Sequence, residues 1–275
     1  MKLAVASGKG GTGKTTVAVN LALAIGEDLQ FLDCDVEGAN AHLFLRPEIG
    51  SITPVGIPAP LIDAEKCNGC AKCAEMCRFN ALLRVKNRIK VLPNLCHGCG
   101  GCQIACPVGA VTMVPRRIGS ISQGRAGAME FACGELDVGE ALGVPMIREL
   151  KALKSERAHT IIDCPPGTSC PVVEAVHGCD HCLLVTEPTP FGLHDLKLMV
   201  KVLGKMDMPS GVIVNRYGGP YEPLDAFCRE TGIPVLLRIP FDRRIAELYS
   251  RGEALVGNLP GFKEKMLELF REVRG

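Results

Sequence analysis

The 275-residue sequence predicts an α/β fold: a doubly wound parallel sheet interrupted by a small α+β insert. Three observations predict it. Short apolar runs of strand length alternate with helical stretches, the signature of parallel βαβ units with helices on both faces of a sheet. A glycine-rich loop stands between the first of these strands and the first helix. Residues 60–115 break the rhythm with two matching runs of four cysteines.

The elements follow in order. Leu3 to Ser7 reads as a short buried strand, and Gly8-Lys9-Gly10-Gly11-Thr12-Gly13-Lys14-Thr15-Thr16 comes directly after it. Val17, Leu21, Ala24 and Ile25 then fall at helical spacing. Leu29 to Asp33 is a second strand. Further strands are expected at 159–163, 182–186, 211–215 and 234–239, with helices at 191–206, 221–231 and 242–251. Around the cysteine runs, Pro54, Pro58 and Pro60 lead in; Pro115, Gly119, Ser120, Gly124 and Gly127 lead out. Flexible Pro/Gly borders tolerate insertion, so the expected division is a discontinuous larger domain, 1–59 and 116–275, holding a small one at 60–115.

Composition narrows the function. Apolar residues make up 47% and charged residues 22%, enough to bury a sizeable core. With 31 basic and 30 acidic side chains, bulk charge favours neither nucleic acid nor an anionic membrane. Aromatics at 4%, without Trp, make a base-stacking platform a poor expectation. Met1 to Ser7 passes straight into the glycine loop, and no apolar run nears the ~18 residues of a membrane span, so a cytoplasmic chain is expected. In a reducing compartment, fifteen cysteines read as metal ligands or buried thiols rather than a disulfide scaffold.

Gly8-x4-Gly13-Lys14-Thr15 fits the P-loop pattern in its proper strand–loop–helix setting. Glycines let successive backbone N–H groups turn toward phosphate oxygens, and the helix start adds partial positive charge. Lys14 is placed to reach the β- and γ-phosphates and the Thr15 hydroxyl to bind Mg²⁺. The string with its extra Lys9 resembles the deviant Walker A of the MinD/ParA/Mrp group of ATPases, which includes the nitrogenase iron protein. That resemblance extends over essentially the whole chain. It implies that Lys9 reaches across an ATP-dependent homodimer to the partner's phosphates.

The resemblance carries other stations with it. Asp33-Cys34-Asp35 looks like switch I, with Asp35 orienting the attacking water and Asp33 near the metal. Asp163-Cys164-Pro165-Pro166-Gly167 looks like Walker B entering switch II, with Asp163 holding Mg²⁺ through water and Gly167 sensing the γ-phosphate. Val214-Asn215-Arg216 and Ile239-Pro240-Phe241-Asp242 resemble the segments framing adenine, with Asn215 as base contact. Nothing nearby matches a guanine-reading motif.

Cys67-x2-Cys70-x2-Cys73-x3-Cys77 and Cys96-x2-Cys99-x2-Cys102-x3-Cys106-Pro107 are two copies of the bacterial ferredoxin run, offset by 29 residues (67 to 96). Gly69 maps onto Gly98, and Ala81 onto Ala110. In two-cluster ferredoxins the fourth cysteine of each run serves the other cluster. One [4Fe–4S] cluster is therefore expected on Cys67, Cys70, Cys73 and Cys106, and the second on Cys96, Cys99, Cys102 and Cys77. Zinc competes, but four-cysteine zinc sites usually pair two separated C-x2-C knuckles. Arg78 stands where the ferredoxin pattern has proline. Burial is the default for Cys34, Cys133, Cys164, Cys170, Cys179, Cys182 and Cys228. Cys179/Cys182 as a dimer-bridging site and Cys170 as a cluster ligand are weaker alternatives.

Phe262, Met266, Leu269, Phe270 and Val273 share one helical face, and interleaved Glu264, Glu268 and Glu272 favour docking on the protein over a membrane. The expected function is a slow Mg²⁺-dependent ATPase whose nucleotide state is coupled to electron transfer or metallocluster delivery to a partner protein. An iron–sulfur scaffold of Mrp type, or a MinD-like positioning ATPase with structural clusters, are the alternatives.

Overall fold

In the computed structural model, which describes residues 1–275, the chain opens with β1 (Lys2–Ser7), α1 (Lys14–Ile25), β2 (Leu29–Asp33), α2 (His42–Leu45) and β3 (Glu48–Ile62). Next come α3 (Lys72–Met76), β4 (Leu82–Val85), β5 (Arg88–Val91), α4 (Gly101–Ile104), β6 (Val111–Ala126) and β7 (Met129–Leu136). Then α5 (Gly143–Ala152), β8 (His159–Pro166), α6 (Cys170–Val176), β9 (His181–Thr186), α7 (Pro190–Gly204) and β10 (Ser210–Tyr217) follow. The chain finishes with α8 (Glu222–Thr231), β11 (Val235–Pro240), α9 (Arg243–Ser250) and α10 (Phe262–Arg274). Two units emerge: Met1–Ile52, Ile121–Glu135 and Ile147–Gly275 form the first, Thr53–Ser120 and Leu136–Met146 the second.

The first unit is built on a sheet of order β11-β10-β9-β1-β8-β2-β7-β6-β3, in which β11 through β7 pair in parallel. Parallel strands joined by helices are covered on both faces, which is why β2 is buried at all five positions. The strands expected from apolar runs are β1, β2, β8, β9, β10 and β11. Thr189 caps α7 by accepting the N–H of Gly192 at 3.0 Å, and Asp242 caps α9 by accepting that of Arg244 at 2.9 Å. The apolar face of α10 is spent on the protein: Phe262, Met266, Leu269 and Phe270 are buried, packed toward α1 and β11. No helix is long and apolar enough to cross a membrane.

The proline- and glycine-rich borders are strands rather than loops. Residues 48–62 and 111–126 are the long strands β3 and β6, each with residues in both units. Alternation along β3 starts late (seven exposed residues precede Val55, the first buried one) and Pro54 and Pro58 interrupt it, so the pattern did not announce a strand. A two-residue turn at Gly127-Ala128 joins β6 to β7, and Gly124 lies against the backbone of Glu48 and Ile49, where any side chain would collide. Burial also fails for one thiol: Cys170 is exposed at the start of α6 and Cys133 is half-buried, while the other five outside the cassette are buried.

In the second unit the cysteine repeat is also a repeat of structure. Helix α3 begins at Lys72 and α4 at Gly101, again 29 apart, and Leu82 at the head of β4 matches Val111 at the head of β6. Both pack with Cys73 and Cys102 in one small core. β4 and β5 form an antiparallel hairpin with Leu82 opposite Val91. Left-handed backbone recurs at matched positions: φ is +70° at Gly69 and +72° at Gly98, and +64° at Ala71 and +73° at Gly100. Of these four only Ala71 is strained, because a Cβ at positive φ crowds the carbonyl. Ala71→Gly is therefore expected to stabilise the second unit by about 1 kcal/mol, read as a raised midpoint in denaturant, whereas Gly100→Ala is expected to lower it.

Candidate functional site

The phosphate loop leaves β1 at Ser7 and closes on α1 at Gly13. Gly13 has φ +93°, and a side chain there would collide with the Asn215 amide. No side chain caps α1, so its first-turn N–H groups are left for an external acceptor. Contrast α7 and α9, each capped by its own side chain. Gly8 is needed for a different reason: its backbone lies against Asp195, leaving no room for a Cβ.

A cavity of about 320 Å³ opens over this loop, the size of a small-molecule site. Gly10, Gly11, Gly13, Lys14, Thr15 and Thr16 form one wall, and Asp35, Asn40 and Pro166 another. The far end is made by Asn215, Arg216, Pro240 and Asp242 together with Phe241, Ile245, Ala246 and Tyr249. Phe241 falls within a segment the sequence already pointed to, whereas Ile245, Ala246 and Tyr249 had no signal there. Helical spacing on α9 put Ile245 and Tyr249 on an apolar face that reads as core, yet Phe241 is 74% and Tyr249 45% exposed. Asn215 is partly committed already, since its Nδ2 donates to the Thr12 carbonyl at 2.7 Å.

Beneath the loop lies a buried charge cluster. Lys14 Nζ donates to Asp163 Oδ1 at 2.6 Å and to Asp35 Oδ2 at 3.3 Å. Burial alone would depress the ammonium, but the carboxylates of Asp163 and then Asp35 outweigh it and hold Lys14 above its ordinary value. Burial pushes the Asp163 carboxyl up, and Lys14 pulls it back only in part. Asp33 is pushed up by burial and by Asp163, against the N–H groups of Asp35, Asn40 and Ala41, which it accepts at 3.0–3.1 Å. Asp163 Oδ2 is buried with no partner. An orphaned carboxylate oxygen beside Lys14 and Thr15 fits a hydrated divalent cation. Gly167, at φ +96°, follows β8 and donates its N–H to the Ser7 carbonyl at 2.9 Å.

Lys9 turns away from the cavity. Its Nζ lies 3.2 Å from Glu187 Oε2, while Arg216 Nη1 holds Glu187 Oε1 at 2.6 Å. Gly8, Lys9 and Thr12 border β9 and α7 instead of the main cavity. In this chain alone, then, the lysine is paired in cis with a buried glutamate.

In the second unit, Cys67, Cys70, Cys73 and Cys106 line one pocket, with Ile62, Ile89 and Val111 as its apolar walls. Cys77 packs beside Cys96 with Ala59 and Ala81. Backbone N–H groups point at sulfur at matched places: Ala81 to Cys77 Sγ at 3.3 Å and Ala110 to Cys106 Sγ at 3.2 Å. Burial raises the Cys106 thiol, but the N–H groups of Ala110 and Val108 outweigh it and bring it below the usual thiol range. For Cys73 and Cys102 burial wins and the thiols are raised. No group of three or more metal-binding side chains is placed to hold a metal ion, and the space lined by the four thiols is about 10 Å³. Cys179 and Cys182 are both buried, with thiols pushed up by burial.

Comparison with known proteins identifies the scaffold. Residues 3–256 match the family model described as the CobQ/CobB/MinD/ParA nucleotide binding domain. An uncharacterised protein of Methanocaldococcus jannaschii is 33% identical over 267 residues, covering 93% of this chain and 91% of its own. The iron-sulfur cluster carrier protein of the same organism is 26% identical over 274 residues, covering 93% and 77%. Among solved structures, the septum site-determining protein MinD of Pyrococcus horikoshii, complexed with Mg-ADP, superposes with a TM-score of 0.60 at 22% identity, covering 99% of this chain and 95% of that one. With the sheet order, the phosphate loop and this match over most of its length, the chain belongs to the CobQ/CobB/MinD/ParA nucleotide-binding family.

Proposed function

We propose that this protein is a slow, Mg²⁺-dependent ATPase whose nucleotide state is coupled to electron transfer or metallocluster delivery to a partner protein, through two [4Fe–4S] clusters held by residues 60–115 within an ATPase domain of 1–59 and 116–275. The observation that carries the reading is the pocket lined by Cys67, Cys70, Cys73 and Cys106, thiols drawn from both runs, in the same chain as an uncapped helix start on a phosphate loop. A two-cluster ferredoxin takes the fourth thiolate of each cluster from the other run, and Cys106 beside Cys67, Cys70 and Cys73 mixes the runs in that way. Cys96, Cys99, Cys102 and Cys77 hold the second cluster in this reading. N–H groups aimed at Cys77 and Cys106 would stabilise thiolate ligands and tune their clusters' potentials.

At the nucleotide site, the α1 N–H groups and Lys14 receive the phosphates, and Phe241, Ile245 and Tyr249 give the base an apolar wall. Mg²⁺ supplies charge neutralisation between phosphate oxygens; Thr15 and the free oxygen of Asp163 are the groups placed to hold it, with Asp33 behind them. Asp35 orients the attacking water. Lys14 must exchange carboxylate partners for phosphate ones, so substrate binding breaks the pair seen here. Lys9, freed from Glu187, acts across an ATP-dependent homodimer. A scaffold handing over whole clusters is the second reading, favoured by the carrier relatives. Eight dedicated thiols argue for tighter retention than such a role needs.

Reductive titration of reconstituted protein with and without MgATP separates the readings: coupling requires a nucleotide-dependent shift in cluster potential, and structural clusters require none. Lys14→Ala is expected to weaken MgATP binding about 10–100-fold, since it removes a charge-assisted contact. Unchanged binding by calorimetry would remove Lys14 from the site. Anaerobically purified protein is expected to carry two [4Fe–4S] clusters, and Cys70→Ser to lose one while sparing most of the other's signal; stoichiometric zinc without acid-labile sulfide refutes this. Asp35→Ala with MgATP is expected to sediment as a dimer, and adding Lys9→Ala to return it to monomer.

A further inference from the structure

The first unit holds a second large cavity, about 740 Å³, which the nucleotide chemistry does not use. It lies over the starts of β1, β2 and β8, whose other ends carry Ser7, Asp33 and Asp163. In a sheet, register partners on adjacent strands share a face. Lys2 is opposite Thr160, and Thr160 opposite Gln30, so these three form a polar row on the floor. Two residues further along the same face stand Leu32 and Ile162, also in register and also lining the cavity.

Gln30 is the unusual member of that row. It is 6% exposed in a strand otherwise made of Leu, Phe and Asp, and Thr160 beside it is 9% exposed. Neither side chain has a hydrogen-bond partner within the chain, and both open onto the cavity. Their polar atoms are not sealed away from solvent, so each presents hydrogen-bonding capacity to whatever fills the cavity. Packing alone would be served by the apolar residues found one step deeper.

Charge says what kind of ligand the cavity suits. Lys2, Lys151, Lys154 and Arg157 line the cavity against a single acid, Glu156. Two of the cations are committed: Lys151 donates to the carbonyls of Glu174 and His177, and Arg157 pairs with Glu130 at 3.0 Å. They fix the wall. Lys2 and Lys154 make no ion pair and are left for a ligand.

We infer that this cavity binds a small polyanion bearing carboxylate or phosphate groups, with Lys2 and Lys154 as its counter-charges and Gln30 and Thr160 as the hydrogen-bonding floor. The volume suits a metabolite-sized molecule. The site is separate from the phosphate loop, and its existence does not depend on the ATPase reading.

Isothermal titration of the full chain with citrate, and separately with inorganic phosphate, at physiological ionic strength tests it. Saturable binding is expected, and the tighter of the two probes identifies carboxylate or phosphate as the source. Gln30→Leu, Thr160→Val and Lys154→Ala are each expected to weaken that binding about tenfold, the loss of one contact to a charged ligand. All three keep their shape or lie at the surface, so unchanged melting curves and unchanged ADP affinity confirm an intact fold. No saturable binding of either probe overturns the proposal. So does binding that ignores these three substitutions, or that disappears only in Lys14→Ala, which would place the anion on the phosphate loop.

Discussion

Two carboxylates that cannot both be comfortable sit side by side at the centre of the first unit. Asp33 and Asp163 are register partners on β2 and β8, each fully buried. Like charges at that spacing in a poorly solvated interior repel strongly, and burial penalises each of them separately. They are tolerated because Lys14 lies against Asp163 and because three backbone N–H groups converge on Asp33. Much else follows from that requirement. Lys14 can be there only if α1 starts under the end of β1, and α1 can start there only if the loop turns through a left-handed Gly13. The segment after β2 must curl back so that Asn40 and Ala41 reach the Asp33 carboxylate. Architecture and candidate chemistry thus share one electrostatic constraint, and a cluster neutralised this delicately is poised to rearrange when phosphates arrive.

Legibility in the sequence tracked physical cause closely. Buried parallel strands are continuous apolar runs, so β1, β2, β8, β9, β10 and β11 were readable, as were helices with one apolar face such as α7, α8 and α10. The phosphate loop was readable because glycine and lysine have few other reasons to occur at that spacing between a strand and a helix. β3 and β6 were not. Both are long and both carry proline; β3 is mostly exposed and β6 mostly half-buried, so neither period nor burial marked them. Of the apolar wall, Phe241 lay in a segment already pointed to, but Ile245 and Tyr249 were hidden for the opposite reason: at helical spacing they look like core. Glu187 was equally hidden, because one acid after an apolar strand reads as a loop charge until Lys9 and Arg216 are seen to grip it. Contacts between residues far apart in sequence have no local signature.

The repeat in the second unit has a consequence for how that unit comes apart. Each half supplies a cysteine loop, a short helix and a strand start, but neither half encloses anything alone. The pocket with Cys67, Cys70 and Cys73 is completed by Cys106 from the other half, and Leu82 packs in the same small core as Val111. The copies are interleaved rather than stacked like beads. A small core shared this way has no partial state in which one copy survives while the other melts, so the two halves must form and be lost together as one cooperative foldon. Duplication here yields an obligate pair, and a chain carrying a single copy would hold neither a core nor a closed pocket.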